Sequence, residues 1–503
     1  MITCNQQPLT LALSEVPVLP AAQALEEIAT FLRGSHTRHM LHVVTVPVET
    51  QIQVIAILAD DHGGTVSITS FLTHSGEVLP SIAPSLAQMH IFERDVWERH
   101  GVIFEGNQWL KPVRFPVNAS HKKGIDDYPF FRIGGGEIHE VGVGPIHAGV
   151  IEPGHFRFQC TGEDVVHLEI MLGYQHRDVE GEMVRSNNPN KRNVIVESIA
   201  GDTTIGHAWA HAMVVEKLRE ITYDSVTERE RAIALELERI AIHVGDLGAL
   251  SLDVAWQLGS AYFGALRTPL INFFQHWCGN RFGKGLIRPG MNRFRLNATL
   301  RSQMRDMLDE VDKKFTELAN KMFDLPSVIT RFEKTGIVTH EQVCSIGAVG
   351  MSARMSGLSR DIRKSHPHGA YQNLGIATSV EHTGDVLARA KIRRREVDVS
   401  MKFIRALLDE LDALGDISDG ARVAVPLAAM APNAIAVAVV EAWRGELVHV
   451  GITDGNGDFA TYRVKDPSLH NWFVLALSVR NNEISDFPIC NKSFDLSYCG
   501  HDL

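Results

Sequence analysis

The sequence predicts an α+β protein in which a small N-terminal α/β domain precedes a large, mostly helical-bundle domain flanked by antiparallel β-structure. Two kinds of pattern lead to this prediction. Short apolar, β-branched runs, typical of strands, occur near both ends of the chain, and long segments with apolar residues at helical spacing fill its middle. A stretch rich in Gly and polar residues separates the two parts. We therefore divide the chain into residues 1–120, a linker at 121–136, and residues 137–503.

The first domain shows a helix followed by strands. Residues 22–33 have apolar side chains at helical spacing, whereas residues 42–46 and 52–58 are apolar and β-branched. The sequence Asp-Asp-His-Gly-Gly at 60–64 predicts a turn after the second strand.

The second domain begins with strands over about 137–173. Phe156, Phe158 and Cys160 alternate with polar residues there, as in a half-buried strand. Residues 203–323 are mostly helical in pattern. Ser225 and Glu228 have capping-box spacing, which predicts a helix start at that point.

Further elements are predicted along the rest of this domain. Helices are expected at about 226–250, 298–323 and 384–414, and residues 420–466 predict a hairpin that turns at 454–457.

Composition excludes several classes of protein. The 503 residues carry 49 Lys and Arg against 60 Asp and Glu, a net charge of −11, which argues against nonspecific nucleic-acid binding. Six cysteines without a Cys-x-x-Cys pair exclude a disulfide framework and predict no zinc or iron–sulfur site on this chain.

Membrane insertion is not predicted. The N-terminus lacks a signal-peptide pattern, and the most apolar segment, residues 423–440, is broken by prolines and is expected to form buried strands. We expect a cytoplasmic chain that docks on membrane partners.

Four polar residues share one face of the helix predicted at 226–250. Glu236, Arg239, His243 and Asp246 are spaced by three, four and three residues. They form either a solvated or salt-bridged stripe or a buried polar track able to relay protons. The apolar residues around them favour a packed helix.

Other candidate residues lie near turns or the C-terminus. His147, Glu152, His155 and His176 are at or beside predicted strands, where a histidine is either a surface residue or part of a site. Cys499 is a single thiol, so it is either a small core residue or one ligand of a larger set.

The ordered set of motifs resembles known respiratory proteins. Residues 93–95 (Glu-Arg-Asp) and 101–106 resemble the signature of the C-type subunit of NADH-quinone oxidoreductase (complex I). Residues 144–158 resemble the start of the large subunit of group 4, energy-converting [NiFe] hydrogenases, which shares ancestry with the D-type subunit of complex I. Further segments are similar to motifs common to both families: residues 238–243, 354–357, 384–396 and 441–446. The chain thus resembles a fused C/D-type subunit.

The nickel–iron ligand pattern of group 4 hydrogenases is mostly absent. The resemblance aligns the histidine that follows the first cysteine pair on His207, which puts the four cysteine positions at Ala200, Thr203, Leu496 and Cys499. Three thiolates are therefore missing, and a nickel–iron centre is not expected because it needs soft ligands. A hydrogenase with Asp202 or His501 as substitute ligands is a poor fit for the same reason.

The quinone pattern of complex I is partly present. Gly201 occupies the position of the quinone-binding tyrosine, while His147 and His155 lie at or near the family histidines. The resemblance therefore implies a site at which His147, His155, His243 and Asp246 are catalytic, and Asp202, His207 and Cys499 bind a cofactor.

Two functions remain open at this point. The first is a peripheral-arm subunit, nickel-free, that couples electron transfer to a quinone or another acceptor with proton translocation. The resemblance then implies a small subunit with a 4Fe-4S cluster, antiporter-like membrane subunits, and a place at the inner face of the membrane. NAD would bind elsewhere in such a complex. The second is a structural or regulatory subunit without redox chemistry, since thiolates and tyrosine are both lost.

Overall fold

The structure, a computed structural model, describes residues 1–5, 7–121, 124–149, 151–415 and 428–503. The α+β prediction is confirmed: helices and antiparallel sheets occupy separate parts of the chain. Lys122 and Lys123 of the predicted linker, and the first residues of the predicted 420–466 hairpin, lie outside the described residues.

The first unit is a mixed sheet covered by two helices. Its elements are β1 (Ile2–Cys4), β2 (Leu9–Ala12), β3 (Val18–Leu19), α1 (Ala21–Arg33), β4 (Arg38–Val48), β5 (Gln51–Asp60), β6 (Thr65–Thr73), β7 (Val78–Pro80), α2 (His90–His100) and β8 (Ile103–Glu105). The sheet has the order β1-β6-β5-β4, and β3 pairs with β6 in parallel. The apolar side of α1 packs on it, since Leu25, Ile28 and Leu32 are all buried.

The second unit starts with a three-stranded antiparallel sheet and continues into helices. Its first part comprises β9 (Ile138–Val143), β10 (His155–Thr161), β11 (Asp164–Met171), α3 (Val179–Arg185), α4 (Pro189–Val196), α5 (Thr204–Leu218), α6 (Ser225–Asp253), α7 (Gln257–Cys278), β12 (Ile287–Arg288) and β13 (Met291–Asn292). In β10 the predicted alternation is only half right. Phe156, Phe158 and Cys160 are buried, but so is Gln159, which donates to the carbonyl oxygen of Phe131.

The remaining elements complete the bundle and a second sheet. They are α8 (Ala298–Asp324), α9 (Pro326–Phe332), α10 (His340–Ile346), α11 (Met351–Arg354), α12 (Ile362–Ser365), α13 (Val386–Ala413), β14 (Ala434–Ala442), β15 (Gly445–Thr453), β16 (Phe459–Lys465), α14 (Ser468–Ser478), α15 (Phe487–Phe494) and α16 (Tyr498–Asp502). The predicted turn at 454–457 joins β15 to β16, but β14 adds a third strand, so the segment is a meander rather than one hairpin.

Helix α6 is the centre of the bundle. It packs against α7, α13 and α15, and α5 lies between the bundle and the β14–β15 sheet. Within the described ranges, no helix is long and apolar enough to cross a membrane.

Candidate functional site

The polar face of α6 is buried. Glu236 and Arg239 are fully inaccessible, and His243 and Asp246 are 1% and 6% exposed. Burial follows from packing on several sides, because α6 contacts α7, α13 and α15 and most of its other buried residues are apolar. A solvated stripe is therefore the wrong interpretation. A buried ion-pair network and a proton relay both remain open, since a buried charge needs a partner in either case.

Glu236 is held by four partners at the N-terminal end of this face. Its carboxylate accepts from Arg239 at 3.1 Å, from Arg363 at 3.2 Å, from the Tyr371 hydroxyl at 2.6 Å and from the Ser400 hydroxyl at 2.5 Å. Burial alone would raise the pKa of Glu236, but the two guanidinium groups outweigh it and lower the pKa. Glu236 is thus a fixed anion that anchors the helix.

His243 stands between two carboxylates. Its Nε2 is 2.8 Å from Glu396, and its Nδ1, which has no hydrogen-bond partner, is 3.9 Å from the carboxylate of Asp246. Glu396 also accepts from Arg354 at 2.6 Å, and Arg354 bonds Glu441 at 2.7 Å. Burial, opposed by Arg354, raises the pKa of Glu441 to about 7. The imidazole therefore has one hydrogen-bonded carboxylate, Glu396, and a second carboxylate, Asp246, just beyond hydrogen-bond distance.

Asp246 shares a hydrogen bond with the carboxyl group of Asp495. Burial alone would raise the pKa of Asp246, but Arg393, which donates to it at 2.7 Å, and His243 outweigh burial and lower the pKa. Burial and then the charge of Asp246 raise the pKa of Asp495 well above its ordinary value. The proton of the pair therefore resides on Asp495.

Arg444 connects this pair to the surface. Its Nε donates to the carbonyl oxygen of Asp495 at 2.5 Å, and its two terminal nitrogens each donate to Asp202 at 2.7 Å. The side chains of Asp202 and Asp495 keep 33% and 38% of their surface accessible, whereas Arg444 keeps 4%. We call the connected set the polar track; it consists of Glu396, His243, Asp246, Asp495, Arg444 and Asp202.

The outer end of the polar track lies at an open, polar surface. Gly201 is exposed, and a Cβ atom there would meet nothing within 4 Å. Cys499 is partly exposed; burial and the charge of Glu152 raise the pKa of its thiol to about 11. The loop before β10 packs here too, because a Cβ on Gly154 would lie 2.8 Å from the Tyr498 ring.

His147 and His155 brace that loop. The Nε2 of His147 is 2.8 Å from the carbonyl oxygen of Gly154, and the Nδ1 of His155 is 3.1 Å from that of Gly144. These two hydrogen bonds therefore join one end of the loop to the other. The second ring nitrogen of each histidine forms no hydrogen bond with the residues that the structure describes. His176 instead binds the C-terminus, at 2.8 Å from the carbonyl oxygen of Asp502.

His207 lies deeper and belongs to a second chain of polar groups. Its Nδ1 is 3.0 Å from His449, its Nε2 is 3.4 Å from Asp466, and His449 bonds the Tyr462 hydroxyl at 2.8 Å. All four side chains are buried. The structure therefore brings Asp202 and Asp246 together through Arg444, and it places Cys499 beside Asp202, but His207 is not on the exposed face.

The residues at the aligned cysteine positions do not fit a nickel–iron centre. Ala200 and Leu496 are buried apolar residues, the Thr203 hydroxyl accepts from Arg444 at 3.1 Å, and the Cys499 thiol is protonated at neutral pH. Nickel and iron require deprotonated soft donors, which only Cys499 could supply.

Three members of the polar track, Glu396, Asp495 and Arg444, are not among the site residues that the sequence predicts. Asp495 sits in the left-handed conformation between α15 and α16, with φ of 48°, and Arg444 occupies the tight turn between β14 and β15. The sequence did indicate Arg444, because this residue lies inside the motif at 441–446. No spacing rule relates Asp495 to Asp246, because they are 249 positions apart.

The two units of the chain match two protein families of the respiratory chain. Residues 18–125 match the family described as respiratory-chain NADH dehydrogenase, 30 Kd subunit, and residues 253–502 match its 49 Kd subunit. The chain therefore belongs to this complex I family as a fused C/D-type subunit, as the resemblance implied.

Individual relatives come from both branches. Hydrogenase-4 component G of Escherichia coli (strain K12) is 25% identical over 83% of this chain and 75% of its own length, and formate hydrogenlyase subunit 5 of the same organism is 26% identical over 83% and 76%. A D-type subunit of NADH-quinone oxidoreductase from Symbiobacterium thermophilum is 26% identical over 68% of this chain and 91% of its own length.

A solved structure has the same fold. A chain of the membrane-bound sulfane sulfur reductase, an archaeal respiratory membrane complex, superposes with a TM-score of 0.65 at 22% identity, covering 73% of this chain and 99% of its own.

Proposed function

We propose that this chain is a nickel-free large subunit in the peripheral arm of a membrane-bound oxidoreductase, and that it couples electron transfer with proton movement. The observation that carries the proposal is the polar track, a series of charged groups from the partly exposed Asp202 to the buried Glu396, in which the 3.9 Å separation of His243 and Asp246 is the one step without a hydrogen bond among the described residues. A purely structural ion-pair network would not need a carboxyl pair that shares a proton.

The track supports a defined sequence of proton movements. Asp495 holds a proton at the open end, where an acceptor such as a quinone would be reduced and would take up protons. His243 then reprotonates Asp495 through the Asp246 carboxylate, which lies 3.9 Å from its Nδ1, and His243 would regain its proton from the membrane subunits. Arg393 and Arg444 keep the carboxyl groups in place throughout.

The open face also supports the presence of partners. Gly201 is exposed and Asp202 and Cys499 are partly exposed, so this surface is accessible to a partner subunit. A small iron–sulfur subunit with a 4Fe-4S cluster would supply the opposite wall and the electrons. Antiporter-like membrane subunits would hold the complex at the inner face of the membrane and supply the protons that return to His243.

A structural or regulatory subunit is the second candidate. Gly201, Ala200 and Leu496 stand where relatives of the resembled families use a tyrosine or cysteines, and these changes favour the loss of redox chemistry. This candidate predicts that substitutions in the polar track leave the activity of the complex unchanged.

Asp246→Asn in the intact complex separates the two candidates. We expect proton translocation to fall at least about tenfold, because an amide cannot accept the proton from His243 or pass it to Asp495. Asp495→Asn, which preserves the pair between Asp246 and Arg393, should have the same effect. Asp309→Asn on the exposed face of α8 is the control.

Unchanged coupled activity in both variants would exclude the relay. Variants are compared only when the complex assembles to the same extent as the unsubstituted complex. Nickel and iron are measured on the same preparations: stoichiometric nickel on this subunit would contradict the nickel-free assignment, whereas iron without nickel is the expected result.

A further inference from the structure

A cavity remote from the polar track has an unusual charge. It measures about 580 Å³ and lies between α4, the second half of α5 and the turn that joins β12 to β13. Four arginines line it: Arg192, Arg219, Arg288 and Arg293. No Asp or Glu is among its lining residues in the part of the chain that the structure describes. This concentration of positive charge is unexpected in a chain whose net charge is −11.

Three of these arginines lack a carboxylate partner. Arg288 donates to Glu197 at 2.5 Å, so its charge is balanced. Arg192, Arg219 and Arg293 form no ion pair with any residue that the structure describes. Arg192 is 5% exposed, and its Nη2 has no hydrogen-bond partner; the Nε of Arg219 has none either. Buried guanidinium nitrogens without acceptors are costly, and an anion would supply the acceptors.

The charges also act on one another and on a buried histidine. Burial lowers the pKa of Arg192; Asp458 and Tyr462 partly oppose this shift, and Arg219 adds to it. Burial followed by Arg192, Arg288 and Arg219 lowers the pKa of His211 to about 3. Three guanidinium groups therefore lie close to the same imidazole. Repulsion between these guanidinium groups destabilises the free protein, and a bound anion would reduce that repulsion.

The other residues that line the cavity indicate which kind of chemical group is attached to the anion. Val215 and Met430 are buried, and Val194 and Met291 add apolar surface nearer the opening. The volume is in the range of small-molecule sites. Arginine rather than lysine supplies all four cations, and its planar fork suits the paired oxygens of a phosphate.

We propose that this cavity binds a phosphate ester that has an apolar substituent. The phosphate oxygens accept hydrogen bonds from Arg192 and Arg219, and the apolar part packs against the methionine and valine side chains. The headgroup of an anionic lipid and a free organic phosphate share this chemistry. The site lies outside the polar track, so the inference does not depend on the proposed redox function.

Binding to the full-length chain tests the proposal by titration calorimetry. The probes are dihexanoyl phosphatidic acid as a lipid headgroup, phenyl phosphate as a free organic phosphate, and inorganic phosphate as the anion without an apolar substituent. We expect saturable binding of the two esters that weakens with added salt. Tighter binding of the phosphatidic acid would assign the site to a lipid, and tighter binding of phenyl phosphate would assign it to a soluble phosphate ester.

The decisive variant is Arg219→Gln. We expect the affinity to fall by about tenfold or more, because one charge-assisted contact is lost. The melting temperature of the free protein should not fall, since Arg219 has no native ion pair to lose. Arg33→Gln, at an arginine in α1 that is half exposed, is the matched control and should leave binding unchanged.

Two results would overturn the proposal. The first is that none of the three probes binds the unsubstituted chain. The second is that Arg219→Gln and Arg293→Gln both bind with the original affinity, which would place any bound anion elsewhere.

Discussion

At the scale of single residues, neighbouring carboxyl groups on α6 are held in opposite protonation states. Glu238 accepts from the backbone amides of Ile205 and Gly206, at 2.8 and 3.3 Å, where α5 begins. Burial, only partly offset by these amides, raises the pKa of Glu238 to about 8. Asp246, two turns further along, has Arg393 beside it and a lowered pKa. The local partners, not the residue type, decide which group carries a proton.

Glu238→Gln should change how stability depends on pH. Because the folded-state pKa of Glu238 is raised to about 8 above an unfolded value near 4.5, the folded wild type becomes progressively less stable as pH rises through this window. Glutamine does not titrate. We expect the melting temperature of the variant to rise relative to wild type between pH 5 and pH 8, by the equivalent of about 3 kcal/mol.

The control for this measurement is Glu310→Gln, at an exposed position on α8. It should show nearly the same pH profile as the wild type. A constant difference between Glu238→Gln and wild type over the whole pH window would mean that Glu238 is ionised in the folded protein.

The sequence could predict His243, Asp246 and Asp202 as members of the polar track, but not Asp495 and Arg444. Helical spacing alone places His243 and Asp246 on one face, and their environment on α6 is apolar enough to predict burial. Asp495 and Arg444 reach the same point from a loop and a strand turn. Their positions depend on how α15 and the β14–β15 sheet pack on α6, which no local pattern encodes.

At the scale of elements, the helices were predicted closely, and α6 shows where such predictions are inexact. The predicted ranges 226–250 and 298–323 correspond to Ser225–Asp253 and Ala298–Asp324. The capping-box prediction at Ser225 is wrong by one residue. Asp224 is the N-cap, and its side chain accepts from the amide of Thr227 at 2.7 Å. Asp224 and Ser225 are both favourable N-cap residue types, so the sequence alone does not show which of them caps the helix.

Asp224→Ala and Ser225→Ala form a matched pair that tests this assignment. Removing the Asp224 carboxylate leaves the Thr227 amide without its acceptor, and we expect a loss of about 1 kcal/mol in the free energy of unfolding. Ser225 is exposed and should cost much less. Chemical denaturation of both variants measures the difference. Equal losses would mean that the helix begins as the sequence pattern predicted.

At the scale of the whole molecule, the two units share a sheet and a buried ion pair. Strand β2, which belongs to residues 1–120 in sequence, pairs with β14 of the second unit through Leu9 to Ala12. The domain boundary at 121–136 therefore stays a prediction from the sequence, and in the structure the two units share a sheet. Nothing in the four residues of β2 indicates its partner, since a short strand pattern does not specify what it pairs with.

Glu446 is the centre of the second connection. It lies in β15 and accepts from Lys465 of β16 at 2.5 Å, while His39 of β4 in the first unit lies 2.6 Å from its other oxygen. Glu446 and Lys465 are fully buried, and His39 is 1% exposed. Burial alone would raise the pKa of Glu446, but His39 and Lys465 outweigh it and lower the pKa, so Glu446 is charged in the folded protein.

We expect Glu446→Gln to lower the stability of both units. The substitution leaves the buried charge of Lys465 without its counter-ion, and breaking a buried pair in this way costs about 3 kcal/mol. We expect one cooperative unfolding transition at a lower denaturant midpoint, because the contact between Glu446 and His39 spans the boundary. Glu105→Gln, exposed in β8, is the control and should change the midpoint little. If Glu446→Gln instead split unfolding into two transitions with the second unit unaffected, the ion pair would serve only to attach the first unit, and the two units would be independently stable.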